Sequence, residues 1–221
     1  MDKQRQVLTW ASGAAVVGAL GWAGWKILHK ESEPGYRILG AKGDLEVRQY
    51  APMLVAVTEL EGDFEASLNE GFHRLAGYIF GKNQRRTPPA INIGAPPATA
   101  PEQTEKIPMT APVGFQRLGN QWRMTFVLPP EYTLDSAPKP ADSRVHLEAV
   151  PPRRVAALRF SGAVPEAVMK SEQERLLTLL REQGLQPTGE PVLAQYNSPF
   201  MLPFLRRNET LVEVRTLDSV H

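Results

Sequence analysis

The feature that most constrains the fold is an internal duplication at an offset of 100 residues. The stretch VRQYAPMLVAVTELEG (47–62) aligns with LEAVPPRRVAALRFSG (147–162). The alignment pairs identical residues: Pro52 with Pro152, Val55 with Val155, Ala56 with Ala156, and Gly62 with Gly162. Each copy is typical of a short edge segment, a proline, an apolar strand and a glycine that ends it. The chain is therefore expected to fold as two similar halves.

A helix is predicted after the strand of each copy. In the first copy, apolar residues recur at spacings of three and four and form one stripe: Phe64, Leu68, Phe72, Leu75 and Ile79. The second copy has a similar face: Val168, Leu176, Leu179 and Leu180. Gly81 and Gly184 predict the ends of the two helices, since glycine commonly follows the last helical turn.

Strands are predicted after both helices. TAPV (110–113) aligns with NSPF (197–200), which places Pro112 opposite Pro199. Alternating apolar residues follow in each copy: Trp122, Met124, Phe126 and Leu128 in the first, and Leu211, Val212 and Val214 in the second. Each half is therefore a β-α-β-β unit. Two such units predict an α+β fold, an antiparallel sheet or distorted β-barrel with two main helices, and a ligand cleft between the halves.

The first 28 residues predict a membrane anchor. The segment 7–25 holds 19 consecutive uncharged residues, and a helix of that length spans roughly 28 Å, close to the thickness of a bilayer core. Tryptophans lie near both ends, as is typical of membrane interfaces. A cleaved signal peptide and a buried core helix are the alternatives. Residues 29–35 are interpreted as a linker, and 36–216 as the domain, which we expect on the extracytoplasmic side of a single-pass membrane protein.

Two other features bear on the organisation of the domain. The run 83–105 contains five prolines and no apolar period, so we interpret it as a loop insertion. The chain has no cysteine, which excludes disulfides, thiolate metal sites and cysteine nucleophiles. Its net charge of +1 gives no general attraction to nucleic acid, so a nucleic-acid partner is not expected.

Several stretches together resemble the SOUL/haem-binding-protein family. They run in family order over most of the domain: VRQYAPMLVA (47–56), GFHRLAGYIFGKN (71–83), KIPMTAPV (106–113), WRMTFVLPPEYTLDSAPKPADSRV (122–145), PPRRVAALRFSG (151–162) and YNSPFMLPFLRRNE (196–209). The proline-rich insertion and the N-terminal segment depart from the family pattern. The resemblance implies a distorted barrel with two helices that binds haem or another tetrapyrrole in an apolar groove.

Haem requires apolar walls, cations for its propionates and, in many proteins, an axial iron ligand. On the resemblance, the predicted walls are Phe72, Leu75, Ile79, Met109 and Phe115. An ordinary core is the alternative, since helical apolar stripes are mostly core. The candidate propionate partners are Arg74, Lys106, Arg206 and Arg207. The alternative for the last two is a structural role, with an arginine paired to Glu209.

The axial ligand is sought among four histidines. His29 lies at the anchor and His221 is the last residue, so neither is expected in a pocket. His146 alternates with Val145 and Leu147 and is expected to point outward. His73 remains as the candidate iron ligand. It lies off the apolar stripe of its helix, so the alternative is a solvated histidine with no ligand.

No motif in the sequence demands catalysis. A Walker loop, a GxGxxG motif and a nucleophile elbow are all missing, and the acidic residues form no pair whose spacing points to acid/base chemistry. We therefore expect a membrane-anchored, non-catalytic haem or tetrapyrrole carrier or buffer. The alternative is a small-effector-binding or protein-interaction module with the same fold.

Overall fold

The computed structural model describes residues 32–86, 103–197 and 201–216. From Glu33 onward, the described residues form one compact unit. The predicted anchor and residues 29–31 of the predicted linker lie outside the described residues, and the described part contains no helix that is long and apolar enough to cross a membrane.

The described chain is built of short strands, two helices and one 3-10 turn. The strands are β1 (Tyr36–Lys42), β2 (Leu45–Tyr50), β3 (Met53–Leu60), β4 (Asn83–Gln84), β5 (Val113–Leu118), β6 (Gln121–Val127), β7 (Lys139–Pro140), β8 (Val145–Val150), β9 (Arg153–Phe160), β10 (Leu185–Pro187), β11 (Val192–Gln195) and β12 (Asn208–Thr216). The helices are α1 (Phe64–Ile79) and α2 (Glu166–Glu182), and the 3-10 turn is Pro203–Leu205.

The main sheet confirms the duplication and shows an exchange of strands between the halves. Its order is β1-β2-β9-β12-β11-β5-β6-β3-β8, with every neighbour antiparallel. When β2 is exchanged with β8, β3 with β9, β5 with β11 and β6 with β12, the order from β2 to β8 maps onto itself. The first strand of each copy therefore pairs with the second strand of the other copy.

The register shows the same two-fold relation. Leu45 lies opposite Leu158, and Val145 lies opposite Thr58, so each pair becomes the other when 100 is added to or subtracted from its numbers.

The α+β class is confirmed, with two corrections. Each half is β-β-α-β-β, because the segment before the proline is itself a strand. The sheet is a curled half-barrel with β1 and β8 as its described edges, since they do not pair with each other.

Both helices pack on one face of the sheet, where the core lies. The core under α1 includes Leu54, Ala56, Leu75, Ile79, Phe115, Trp122, Met124 and Phe126. The core under α2 includes Leu45, Ala156, Leu158, Leu176, Leu180, Val212 and Val214. Asp63 caps α1 by accepting a hydrogen bond from Ala66 N (2.9 Å), and Gly81 follows α1 with φ +115°. The predicted helix ends and the stripe of α1 are thus confirmed. In α2 the buried face holds Leu176, Leu180 and the partly buried Leu179 as predicted, but Met169 takes the place predicted for Val168.

Two details of the sequence alignment are wrong. The partner of β5 in the second half is β11, which ends at Gln195, before the NSPF segment. Pro112 and Pro199 are therefore not equivalent, and Pro199 lies outside the described residues. The insertion is also not a free loop at its ends, because β4 pairs with β7 and the Arg85 amide donates to Gln103 O at 2.8 Å. Residues 87–102 are not among those described.

Candidate functional site

A cleft lies on the face of the sheet opposite the helices. Side chains of a strand alternate between faces, so the residues that are not in the core point to this side. Met53 and Val55 line the cleft from β3, and their repeat equivalents Arg153 and Val155 line it from β9. The cleft therefore lies across the junction of the two halves, where the duplication predicted it.

The cleft has a volume of about 300 Å³, at the lower end of the roughly 300–1,000 Å³ typical of small-molecule sites. Most of its walls are apolar: Met53, Val55, Val127, Val155, Val192 and Leu211. Its floor includes Gly114 of β5, where a Cβ would stand only 2.3 Å from Thr125 Oγ1 and 3.4 Å from Val192 Cγ1. The absence of a side chain at this position keeps the centre of the cleft open.

Arg153 is the cationic side chain of the cleft. Its Nε is buried and has no hydrogen-bond partner among the described residues. A buried donor without a partner costs free energy of roughly 1–3 kcal/mol, and more when the group is charged. The cleft therefore combines apolar walls with a guanidinium whose Nε makes no hydrogen bond to the described residues.

Other polar groups of the cleft are Tyr50, Gln116, Thr125, Glu190 and Glu213. No histidine belongs to the described lining. Met53 and Tyr50 are the lining side chains of types that ligate haem iron in known proteins. Burial raises the pKa of Tyr50 above its ordinary value despite the neighbouring Arg48, which disfavours a phenolate at this position.

A buried ionic cluster adjoins the cleft at Tyr50, whose hydroxyl accepts a hydrogen bond from Arg48 Nη1 at 3.2 Å. At its centre the fully buried Glu209 of β12 receives two hydrogen bonds from Arg48, at 2.6 and 3.0 Å. Arg207 donates to the same carboxylate at 2.9 and 3.1 Å, and the Tyr196 hydroxyl donates at 2.7 Å. This arrangement satisfies both carboxylate oxygens of Glu209.

The charges of the cluster are balanced by two outer carboxylates. Arg48 Nε donates to Glu46 at 2.7 Å, and Arg207 Nη1 donates to Glu33 at 3.0 and 3.1 Å. The arginines also stack on aromatic rings, with Arg48 4.5 Å from the centroid of Tyr36 and Arg207 3.8 Å from that of Tyr196. Glu33 therefore belongs to the folded domain and not to a linker.

The cluster sets the protonation of its members. Burial by itself would raise the pKa of Glu209, but the hydrogen bonds from Arg48 and Tyr196 and the charge of Arg207 lower it below the ordinary value. Burial would likewise lower the pKa of Arg48, but Glu209 raises it above its usual range. The pair is accordingly ionised at neutral pH.

The lowered pKa of Glu209 predicts a pH-dependent stability. Its contribution is complete above the unfolded pKa of about 4.3 and is lost as the pH falls through the lower folded pKa. We expect the difference in free energy of unfolding between the wild type and Glu209→Gln to shrink as the pH is lowered from about 6 to about 3. Urea unfolding across this range measures it, and a difference that stays constant with pH would contradict the assignment.

The two-fold relation places a second ion pair at the opposite end of the same face, with the charges exchanged. Glu148 is the equivalent of Arg48, and Arg123 is the equivalent of Glu209, because Arg123 lies opposite Glu59 as Glu209 lies opposite Arg159. Arg123 and Glu148 form an ion pair of their own. This pair is half-exposed, with 21% and 37% of the two side chains accessible, whereas the Arg48–Glu209 pair has 3% and 0%.

The second pair includes a histidine. His146 Nε2 lies 2.9 Å from Glu148 Oε1, and the His146 side chain is 44% exposed. It occupies the position that Glu46 has beside Arg48 in the other half. The prediction that His146 points away from the core is confirmed.

The ten residues predicted for the site do not line this cleft. Leu75, Ile79 and Phe115 are fully buried in the core between α1 and the sheet, and Phe72 and Met109 pack against the same core. His73 is exposed on α1, and Lys106 is exposed ahead of β5. The five apolar residues predicted for the site therefore belong to the ordinary core or pack against it, which is the alternative considered for them. Contact between any of these residues and a ligand stays a prediction.

The predicted arginines are engaged in the fold. Arg74 donates to Thr58 Oγ1 at 2.7 Å and to Glu59 O at 3.1 Å, and it pairs with Glu70. Arg206 Nε donates to Met201 O at 2.8 Å. For Arg207 the structural alternative is confirmed, since it pairs with Glu209 as considered from the sequence.

The residues that line the cleft are not among those predicted from the sequence. Met53, Val55, Arg153 and Val155 were visible in the repeat, because they occupy matched positions at the offset of 100. Arg153, at the position that Met53 has in the first copy, was the available signal for a charged group inside the cleft.

Comparison with known proteins identifies the family. The family model described as SOUL heme-binding protein matches residues 31–213, which include the whole described domain up to β12. The chain belongs to the SOUL haem-binding protein family. Two curated SOUL relatives are both named heme-binding protein 2. The mouse protein is 31% identical over 184 residues, covering 80% of this chain and 82% of its own, and the human protein is 31% identical over 172 residues, covering 75% of each chain.

Solved structures share the SOUL fold of this chain at low identity. The C-terminal domain of EcmrR aligns with a TM-score of 0.56 at 8% identity, covering 82% of this chain and 99% of that domain. An uncharacterised conserved protein from Listeria innocua aligns with a TM-score of 0.50 at 12% identity, covering 80% of this chain and 94% of its own. At such identities the likeness shows the fold alone.

Proposed function

We propose that this protein binds haem or another tetrapyrrole in the cleft opposite the helices, and that it carries or buffers this ligand without catalysing a reaction. Membership of the SOUL family and two relatives named heme-binding protein support the ligand. The observation that supports the location is Arg153, a cationic side chain that lines a cleft with mostly apolar walls.

The apolar walls and the cation of the cleft suit the ligand, while Glu190 and Glu213 add two carboxylates to the same lining. Val55, Val155 and Leu211 offer apolar surface to a macrocycle, and Arg153 offers a donor to a propionate. Met53 is the candidate axial ligand, since its thioether needs no deprotonation to bind iron. A volume of about 300 Å³ suits part of a tetrapyrrole, so the remainder would extend out of the cleft. Bound haem would supply a redox-active iron.

A membrane anchor is part of the proposal. The 19 uncharged residues at 7–25, with charged residues on both sides, support a single-pass segment. The proposal places the domain on the extracytoplasmic side. This location would place the ligand carrier at a membrane surface. Partition of the full chain into the membrane fraction at high pH and high salt tests the anchor independently of haem.

Titration of the purified full chain with hemin tests the proposed ligand. We expect a shifted Soret band that saturates at micromolar hemin, and a higher melting temperature, because a ligand that binds only the folded state stabilises it. A flat titration with an unchanged melting temperature would exclude haem. The chain would then be a binding module for another amphipathic ligand, and mass spectrometry of co-purifying small molecules would identify that ligand.

A further inference from the structure

We infer that the segment Met201–Arg207 contacts the surface of a lipid bilayer. Three large apolar side chains project from this single segment: Leu202, Phe204 and Leu205 are 57%, 70% and 60% exposed. Single exposed apolar residues are common on soluble proteins, but a contiguous group of them marks a surface for a partner or a membrane. The proline at 203 is part of a 3-10 turn that holds the group together.

The backbone of this segment is fixed, so the exposure is a property of the fold. The amides of Leu205 and Arg206 donate to Leu202 O at 2.9 Å and to Pro203 O at 3.0 Å. Pro203 O also accepts from the amide of Gly162 at 3.1 Å, which ties the turn to the end of β9. The apolar side chains are therefore held outward and do not fold back onto the domain.

The segment is an addition that the fold does not require. In the first half, the equivalent strands β5 and β6 are joined by a tight turn at Gly119–Asn120. In the second half, β11 and β12 are joined by residues 196–207. Long connections on a repeated scaffold commonly carry function, since the shorter copy shows that pairing of the strands does not need them.

The place where the chain enters the domain favours a bilayer as the occupant. Arg207, at the end of the segment, holds Glu33 through the 3.0 Å ion pair. Residues 7–25 precede Glu33 and contain 19 uncharged residues, and the eight steps from Trp25 to Glu33 span at most about 28 Å. A membrane-embedded segment at 7–25 would therefore keep the exposed apolar group within reach of the same membrane.

The chain offers a direct test because it contains no cysteine, so that one introduced cysteine is labelled alone. The full-length Phe204→Cys protein carries an NBD fluorophore and is mixed with, or reconstituted into, vesicles of phosphatidylcholine and phosphatidylglycerol. We expect a blue-shifted NBD emission and quenching by doxyl-labelled lipids. The matched control is Leu134→Cys, an apolar residue that is 43% exposed elsewhere on the domain, where we expect no quenching.

Several outcomes would overturn the inference. These are a label at position 204 that lipid does not quench, a chain that does not associate with vesicles, and equal quenching at positions 204 and 134. A blue shift that needs no lipid and grows with protein concentration would assign the surface to a second copy of the chain instead. Urea midpoints equal to that of the wild type establish that both labelled proteins are folded. Hemin binding plays no part in these readouts, so the inference stands or falls separately from the proposed ligand.

Discussion

The Glu209→Ala substitution is expected to lower the free energy of unfolding by about 3–5 kcal/mol, because it removes the buried carboxylate that Arg48 and Arg207 share. Arg48 is 3% exposed and directs two hydrogen bonds at Glu209, so it has no route to solvent once the carboxylate is removed. Arg207 retains Glu33 and Arg48 retains Glu46. Arg207 is 23% exposed, so water can replace Glu209 there, which makes the buried Arg48 the main source of the loss. Urea unfolding at neutral pH measures the change.

The duplication supplies a matched control for this experiment. Glu148 has the two-fold equivalent position of Arg48 and pairs with Arg123, but its side chain is 37% exposed. We expect Glu148→Ala to cost at most about 1 kcal/mol, since water replaces the lost partner of a half-exposed arginine. Equal losses of unfolding free energy at Glu209 and Glu148 would contradict this expectation. Both residues belong to an ion pair, and only their burial differs.

The Arg153→Met substitution is expected to weaken hemin binding by roughly 10- to 100-fold. A hydrogen bond to a charged group contributes about 1.5–3 kcal/mol, and each 1.4 kcal/mol is a factor of about ten in affinity. Methionine retains most of the apolar length of the side chain and removes the guanidinium. It also restores, at this position, the residue type found at the repeat equivalent Met53.

The control for Arg153 is its neighbour in the strand. Arg154 is exposed and does not line the cleft, because adjacent residues of a strand point to opposite faces. Arg154→Met removes the same charge from the protein, and we expect hemin affinity to stay within about two-fold of the wild type. If both variants lose affinity equally, net charge and not the cleft controls binding.

Most of the architecture could be predicted from the sequence. The stripe from Phe64 to Ile79 predicted α1, and Gly81 and Gly184 predicted the ends of the helices. The exchange of β2 and β8 between halves was not predictable in this way, because pairing of distant strands leaves no local period. Likewise, Arg48 and Glu209 are 161 residues apart, and neither strand pattern indicates the other.

The site was harder to predict for a physical reason. Strand β3 faces the core under α1 on one side and the mostly apolar cleft on the other. Apolar residues therefore occur at nearly every position of the strand. Alternation then does not show which side chains point toward a ligand. The helical stripe gave a clearer pattern, and the residues chosen from it, such as Leu75 and Phe115, are core. Only Arg207–Glu209 was anticipated as a structural pair.

The proposed function places haem in the cleft opposite the helices. Methionine methyl NMR of the full chain, labelled with ¹³C, tests it directly, because Met53 lines the cleft and Met109 packs on the helix side of the sheet. Single Met→Leu substitutions assign the two signals. On addition of ferric hemin, we predict that the paramagnetic iron broadens the Met53 signal and leaves the Met109 signal unchanged. Broadening of Met109 with an unchanged Met53 would contradict the account and would place haem beside α1.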